Sequence, residues 1–234
     1  MEDVQNEVIV IDEERNAVIG ELMRNVYIWM AGGLSLTGLV AWWVSGSTEI
    51  LNFIFGSKAV FWGLIIAEFV MVVVLSSTIQ KMSFLTASIC YVLYCAMNGL
   101  LLSSIFIAYE LSSIGQIFFV SAGMFAALAI IGTVTKKDLS RMGTFLIMGL
   151  VGIIIASLVS ILLGRPESIW ITIIGVLIFA GLTVYDAQRI RLMMLNQETV
   201  NEGSMKLALL GALSLYLDFI NLFLKLLSLL GKRR

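Results

Sequence analysis

Apolar residues dominate seven stretches of this chain, and short polar segments separate them. The stretches run roughly over 26–46, 59–79, 84–108, 114–134, 142–163, 168–187 and 207–230. Each holds about 20 residues or more, enough for a helix to cross a hydrocarbon core of about 30 Å. The pattern predicts an all-α polytopic membrane protein with seven transmembrane helices. The connections are short except for about 188–206, which reads as a long loop. Pro166 falls between the fifth and sixth stretches, where a turn is expected. Residues 1–24 are polar and acidic, and read as a mobile or surface-associated segment. One transmembrane domain over 25–234 follows them.

Composition strengthens this picture. The chain is 59% hydrophobic and only 13% charged, against about a quarter charged in soluble domains. No basic patch with interleaved aromatics is present, which argues against nucleic acid. The polar start and the long first apolar run do not read as a secretory signal. Histidine is absent, which removes His-based catalysis and His metal sites. Any response to pH near neutrality then falls to carboxylates or Cys in unusual surroundings. Cys90 and Cys95 lie five apart in one apolar run. That is not a zinc spacing, and both read as free, buried thiols.

Basic residues orient the spans. With the N-terminus inside, the inner side carries Arg15, Arg24, Lys81, Lys136, Lys137, Arg141, Arg189, Arg191 and Lys206. The outer loops carry Lys58 and Arg165. The excess favours a cytoplasmic N-terminus. The tail Lys232, Arg233 and Arg234 conflicts with it if the seventh stretch spans fully. A re-entrant last segment would return the tail inside, so both arrangements stand. In the stretch TKKDLSRMG, Lys136 and Lys137 read as surface anchors, and Asp138 and Ser140 compete to cap the fifth helix.

The last stretch carries the sharpest signal. On a helix, Gly211, Ser214, Asp218, Asn221, Lys225 and Ser228 step by three and four and share one face. The other faces hold Leu, Phe and Ile. Small and amide side chains are ordinary helix–helix glue. A carboxylate near mid-membrane is not, because it costs at least ~2.5–3.5 kcal/mol even on the lenient insertion scale. Lys225 sits about 10 Å further along, too far for a direct ion pair, and reads as snorkelling to the nearer interface. Two other stretches carry acids: Glu68 near the middle of the second, and Asp186 beside Thr183 at the inner end of the sixth. Tyr91, Tyr94 and Asn98 share a face of the third. For these, interhelical hydrogen bonding or, for Asp186, a solvated helix end is the competing reading.

If Asp186 and Asp218 meet, they cannot both ionise cheaply in a poorly solvated niche. Sharing one proton would fasten two helices, and losing it would set them repelling. Such a pair is a latch sensitive to pH, or to a cation on its free oxygens; Ca²⁺ suits it better than Mg²⁺. Intramembrane aspartyl proteolysis also needs two such acids. Tyr185-Asp186 fits presenilin-like proteases, but Leu215-Tyr216-Leu217-Asp218 lacks their Gly-x-Gly-Asp, and Pro166 is followed by Glu167 rather than Ala-Leu. The chain is therefore not expected to be an enzyme.

The stretches GTVTKKDLSRMG at 132–143, FAGLTVYDAQRI at 179–190 and LSLYLDFINLFLKLL at 213–227 resemble the Bax inhibitor-1 family, in its bacterial branch. Glu68 and LSSTIQKMS at 75–83 fit too, so the resemblance covers roughly 20–232. It implies a multi-pass protein of the bacterial inner membrane, with six helices wrapped around a central last helix. It also implies a pH-sensitive calcium leak with Ca²⁺ as the transported ion and no cofactor. The family's paired aspartates match Asp186 and Asp218, which would form the gate and a calcium site, and its second-helix acid matches Glu68. A basic residue near the inner end of the second helix engages the pair in some members; that zone offers Lys81 here. Tyr94, Asn98, Ser214 and Asn221 would line or brace the path. The loop before the last helix is long for this branch. Two other classes stay open: a regulator that binds other membrane proteins without transport, and a proton-coupled cation exchanger.

Overall fold

A computed structural model describes residues 2–164 and 168–234, with side chains from residue 13 onward. Among these residues the chain is helical throughout, apart from short connections and one isolated bridge. The helices are α1 (Glu2–Ser45), α2 (Thr48–Gly56), α3 (Lys58–Thr78), α4 (Phe84–Ala108), α5 (Leu111–Val134), α6 (Ser140–Leu162), α7 (Ile169–Leu195) and α8 (Glu202–Leu230). All but α2 are long and apolar enough to cross a membrane, seven among the described residues. Pro166 and Arg165 lie outside the described residues.

Two expected boundaries move. The predicted long loop at 188–206 is a correction: α7 continues to Leu195, and only 196–201 connect it to α8. RIRLMML looked too charged to be spanning, yet Ile190 and Met194 are almost fully buried. The helix therefore runs on beyond the apolar stretch with one face still packed. At the other end of the chain, α1 begins well before the apolar run, and Leu22 and Val26 are fully buried against the core. The packed part of α1 thus begins ahead of the apolar run, at Leu22.

The last helix is central. In its most apolar window 67% of residues are buried, against at most 33% in any other span. A carboxylate in mid-span must face the bundle interior rather than lipid, and enclosing α8 meets that need. The helices packed closely on α8 are α1, α4, α5 and α7. The resemblance implied six wrapping helices; α3 and α6 instead stand further out, and a cavity fills the gap between them and α8. Tyr216 of α8 locks the centre. Its hydroxyl pairs with Thr37 Oγ1 of α1 at 2.6 Å, and that hydroxyl donates to the Cys95 carbonyl of α4 at 2.8 Å. Tyr91 and Tyr94 pack edge-on against the Tyr216 ring. Cys90 and Cys95 are free thiols, Cys95 buried and Cys90 half-buried.

The last helix runs the full length of the bundle. Phe84 N–H at the start of α4 donates to Glu202 Oε1 at the start of α8. At the far ends, Arg234 N–H donates to the Ala108 carbonyl, and Glu110 N–H to the Lys232 carbonyl. The two helices thus run side by side over the same thickness, and α8 is not re-entrant. The basic tail is held at the far end by a Lys232–Glu110 ion pair of 2.9 Å and by Arg233 over the Tyr109 ring.

Close helix approach rests on small residues. A Cβ on Gly99 of α4 would come within 2.7 Å of the Thr37 carbonyl oxygen of α1. Backbone cannot swing away as a flexible side chain can, so Gly99→Ala should cost about 1–3 kcal/mol of stability. Gly115→Ala, whose Cβ meets nothing within 4 Å, serves as the control. Thermal unfolding in detergent should separate the two; equal melting temperatures would contradict the packing described here.

Candidate functional site

Asp218 sits in mid-α8, and only 5% of its surface is exposed. Its Oδ2 is buried and makes no hydrogen bond. Asp186, half-buried on α7, is near enough for the two carboxyls to interact electrostatically. They adjoin because α7 and α8 pack tightly, with Gly211 of α8 seated against the Ile190 side chain.

Both acids open onto a cavity of about 670 Å³ between α3, α6, α7 and α8. The cavity gathers most of the residues expected from sequence: Glu68, Tyr94, Asp186, Ser214, Asp218 and Asn221 all line it. Its remaining walls are largely Ile, Leu, Phe and Val. Glu68 Oε1 is a second buried acidic oxygen without a hydrogen bond. Asn98 stands behind the wall, within polar reach of Glu68 and Tyr94, and its Oδ1 is also unpartnered. Asn221 bonds back to the Leu217 carbonyl at 2.8 Å, so its amide protons are turned along its own helix. Lys225 lines the far end of the cavity, with its stem over Gly175 of α7. Ser228, the last member of the expected stripe, is exposed.

Lys81 is not brought to the site. It is exposed on the short 3-10 turn Ile79–Lys81 and does not line the cavity. The base beside Asp186 is Arg189, one turn along α7. Arg189 lines the cavity and also a smaller pocket of about 190 Å³ toward the α5–α6 and α7–α8 connections. It is therefore the charged group between the buried acids and that end of the bundle. A resident metal centre has little support in the donors: among the described residues no group of three or more His, Cys, Asp or Glu converges.

Sequence reasoning missed the fastenings near the end of α7 and the start of α8. Gln188 donates to the carbonyls of Thr135 and Lys137 and accepts from Leu139 N–H, so α7 clamps the α5–α6 connection. Lys206 Nζ, 9% exposed as a residue, donates to the Gln80 and Met82 carbonyls, so α8 clamps the α3–α4 turn. Arg15 of α1 caps α7 at the Leu195 carbonyl. Only a three-dimensional partner reveals these roles, because neither Gln nor Lys in such a loop-adjacent position stands out in sequence. Neither Asp138 nor Ser140 caps α6: Leu139 holds the N-cap position without a side-chain bond, and Asp138 braces the turn before it, its Oδ1 accepting from Ser140 N–H at 2.9 Å.

The family described as Inhibitor of apoptosis-promoting Bax1 matches residues 19–234. The Inner membrane protein YbhL of Escherichia coli K12 is 46% identical over 214 residues, covering 91% of this chain and 92% of that one. A Borreliella burgdorferi protein is 39% identical over 231 residues, 97% of this chain and 99% of its own length. A membrane protein of Streptococcus pyogenes is 33% identical over 226 residues, 95% and 97% of the two chains.

Two outcomes follow from the fastenings. Lys206→Met strands two carbonyl acceptors and should cost about 1–3 kcal/mol. Faster amide exchange in 79–84 than in the rest of α4 would localise that loss; unchanged exchange there would refute the clamp. Hydrogen bonding from Ser140, side chain first and then backbone N–H, holds the Asp138 carboxyl below its ordinary value of 3.8. That bond is thus present at neutral pH and is lost as pH falls through the depressed value. The Ser140 amide resonance should titrate below 3.8; a midpoint above it would contradict the Asp138–Ser140 bond.

Proposed function

The chain belongs to the Bax inhibitor-1 family, and on that premise we propose that it is a pH-sensitive calcium leak of the bacterial inner membrane. The observation that carries the reading is the buried Asp218 oxygen without a partner, with Asp186 beside it and a third acid, Glu68, lining the same cavity. A buried polar oxygen is seldom left unsatisfied without a reason. Here a proton or a cation is the missing partner.

The groups that face Asp218 are Asp186 and Arg189 from α7, Glu68 from α3, Tyr94 from α4, and Asn221 and Lys225 on its own helix. With one proton held between them, Asp186 and Asp218 fasten α7 to α8. Removing it leaves two like charges in a niche of low dielectric, and their repulsion opposes close packing of the two helices. The inner ends of those helices each grip a different connection, Gln188 on 135–139 and Lys206 on 79–83. Separation of α7 from α8 would therefore pull two inner loops apart. The opened acids, with Glu68, offer oxygen ligands that suit Ca²⁺ better than a tightly hydrated ion. Arg189 raises an electrostatic barrier to cations on the inner side, and it takes the place beside the pair that Lys81 does not reach. In the proposed orientation the N-terminus and the three inner connections face the cytoplasm, and the basic tail lies outside, held by Glu110 and Tyr109.

A regulator without transport remains the second reading, favoured by the absence among the described residues of a converging metal-ligand cluster. Reconstituted liposomes with a calcium dye inside separate the two. The leak predicts Ca²⁺ entry that changes between about pH 6 and 8. Asp186→Asn and Asp218→Asn should each remove most of that change, because a neutral amide cannot gain or lose the proton. Entry no greater than in protein-free liposomes at every pH would overturn the leak. Net uptake driven only by an imposed pH gradient would replace it with exchange.

A further inference from the structure

A second, larger cavity lies on the opposite side of α8 from the acids. It is about 800 Å³ and sits between α1, α4, α5 and α8. Its walls are apolar and include Leu34, Leu102, Leu111, Phe118 and Phe223. The two hydroxyls among its lining residues are both engaged elsewhere: Ser35 on the Ala31 carbonyl, Thr37 on Tyr216 and Cys95. Polar solutes therefore find nothing to bind. On α8, Phe219 and Phe223 lie about half a turn around from the Asp218 stripe, so this groove does not belong to the acid site.

Its position defines what fits. Along α1 the groove runs from Ala31 to Ala41, about 15 Å. That is the hydrocarbon depth of a single leaflet, half of about 30 Å. The groove occupies the end of the bundle where α4 stops and α5 starts, which is where the basic tail is fastened. Trp42 and Trp43, exposed at the end of α1, mark the headgroup level there. Of the tail cations, Lys232 is neutralised by Glu110. Arg233 and Arg234 are exposed, and no ion pair engages either among the described residues. Tyr109 holds Arg233 in place by its ring face.

We propose that this groove and the Arg233–Arg234 tail form a binding site for an anionic glycerophospholipid of the tail-side leaflet. An acyl chain lies along α8 at Phe219 and Phe223, and the phosphate meets the arginines. The geometry provides a clean block: a Cβ on Gly115, within the groove wall, meets nothing within 4 Å, so Gly115→Leu projects into the groove without clashing at its root.

The test is native mass spectrometry of the full chain released from nanodiscs of equal phosphatidylglycerol and phosphatidylethanolamine. The wild-type chain should retain phosphatidylglycerol in preference. Arg233→Gln combined with Arg234→Gln should cut that preference by about fivefold or more. Gly115→Leu should lose both lipids while its melting temperature in detergent holds. If Gly115→Leu fails to fold, the arginine variant decides alone. Equal retention of the two lipids by wild type, or undiminished phosphatidylglycerol retention in a folded variant, overturns the proposal.

Discussion

A carboxyl group in the hydrocarbon layer must be enclosed, neutralised or paired, and that requirement organises this molecule around Asp218. Placing the residue on the lipid face would cost several kcal/mol. The chain avoids that cost by making its last helix the innermost one, with α1, α4, α5 and α7 against it. Outside the polar stripe, α8 is then free to be apolar, and from Leu207 onward it is. Enclosure does not satisfy the carboxyl, however. One oxygen remains without a partner, and its charged surroundings are another acid and an arginine on α7, with a third acid across the cavity.

The two halves of α8 have different tasks. Toward its start, the helix is tied down by a capping box at Asn201 and Ser204 and by the Lys206 clamp. Past its middle, it separates two cavities, one acidic and one apolar. In the proposed reading a proton on the acidic side alters how α8 meets α7, while a lipid on the other side packs the helix from behind. The tail fixes the far end through backbone pairing with Ala108 and Glu110.

Much of this arrangement could be read from spacing. The three-and-four step of Ser214, Asp218, Asn221 and Lys225 placed them on one face, and all four line the same cavity. Glu68 and Tyr94 could be picked out because a polar group inside an apolar span is rare enough to notice. What periodicity cannot supply is the identity of the helix opposite. Thr37 reads as an ordinary small polar residue until Tyr216 and Cys95 are found against it. Gln188 and Lys206 look like loop residues, and their carbonyl partners lie 51 and 126 positions away. The extension of α7 was hidden by its arginines, since Arg189 and Arg191 mask the buried Ile190 and Met194. Lys81 was chosen because the family resemblance implies a base at the inner end of the second helix, whereas Arg189 stands beside Asp186 simply by following it one turn later.

The most direct test of the proposed latch is infrared spectroscopy of the protein in lipid at neutral pH, reading the carbonyl stretch of a protonated carboxyl. The account predicts such a band in the wild-type chain, its loss on raising the pH, and a change in its frequency and in the pH of its loss in both Asp186→Asn and Asp218→Asn. A wild-type spectrum with no protonated carboxyl, or the same band surviving in both variants, would contradict a proton shared by the two aspartates.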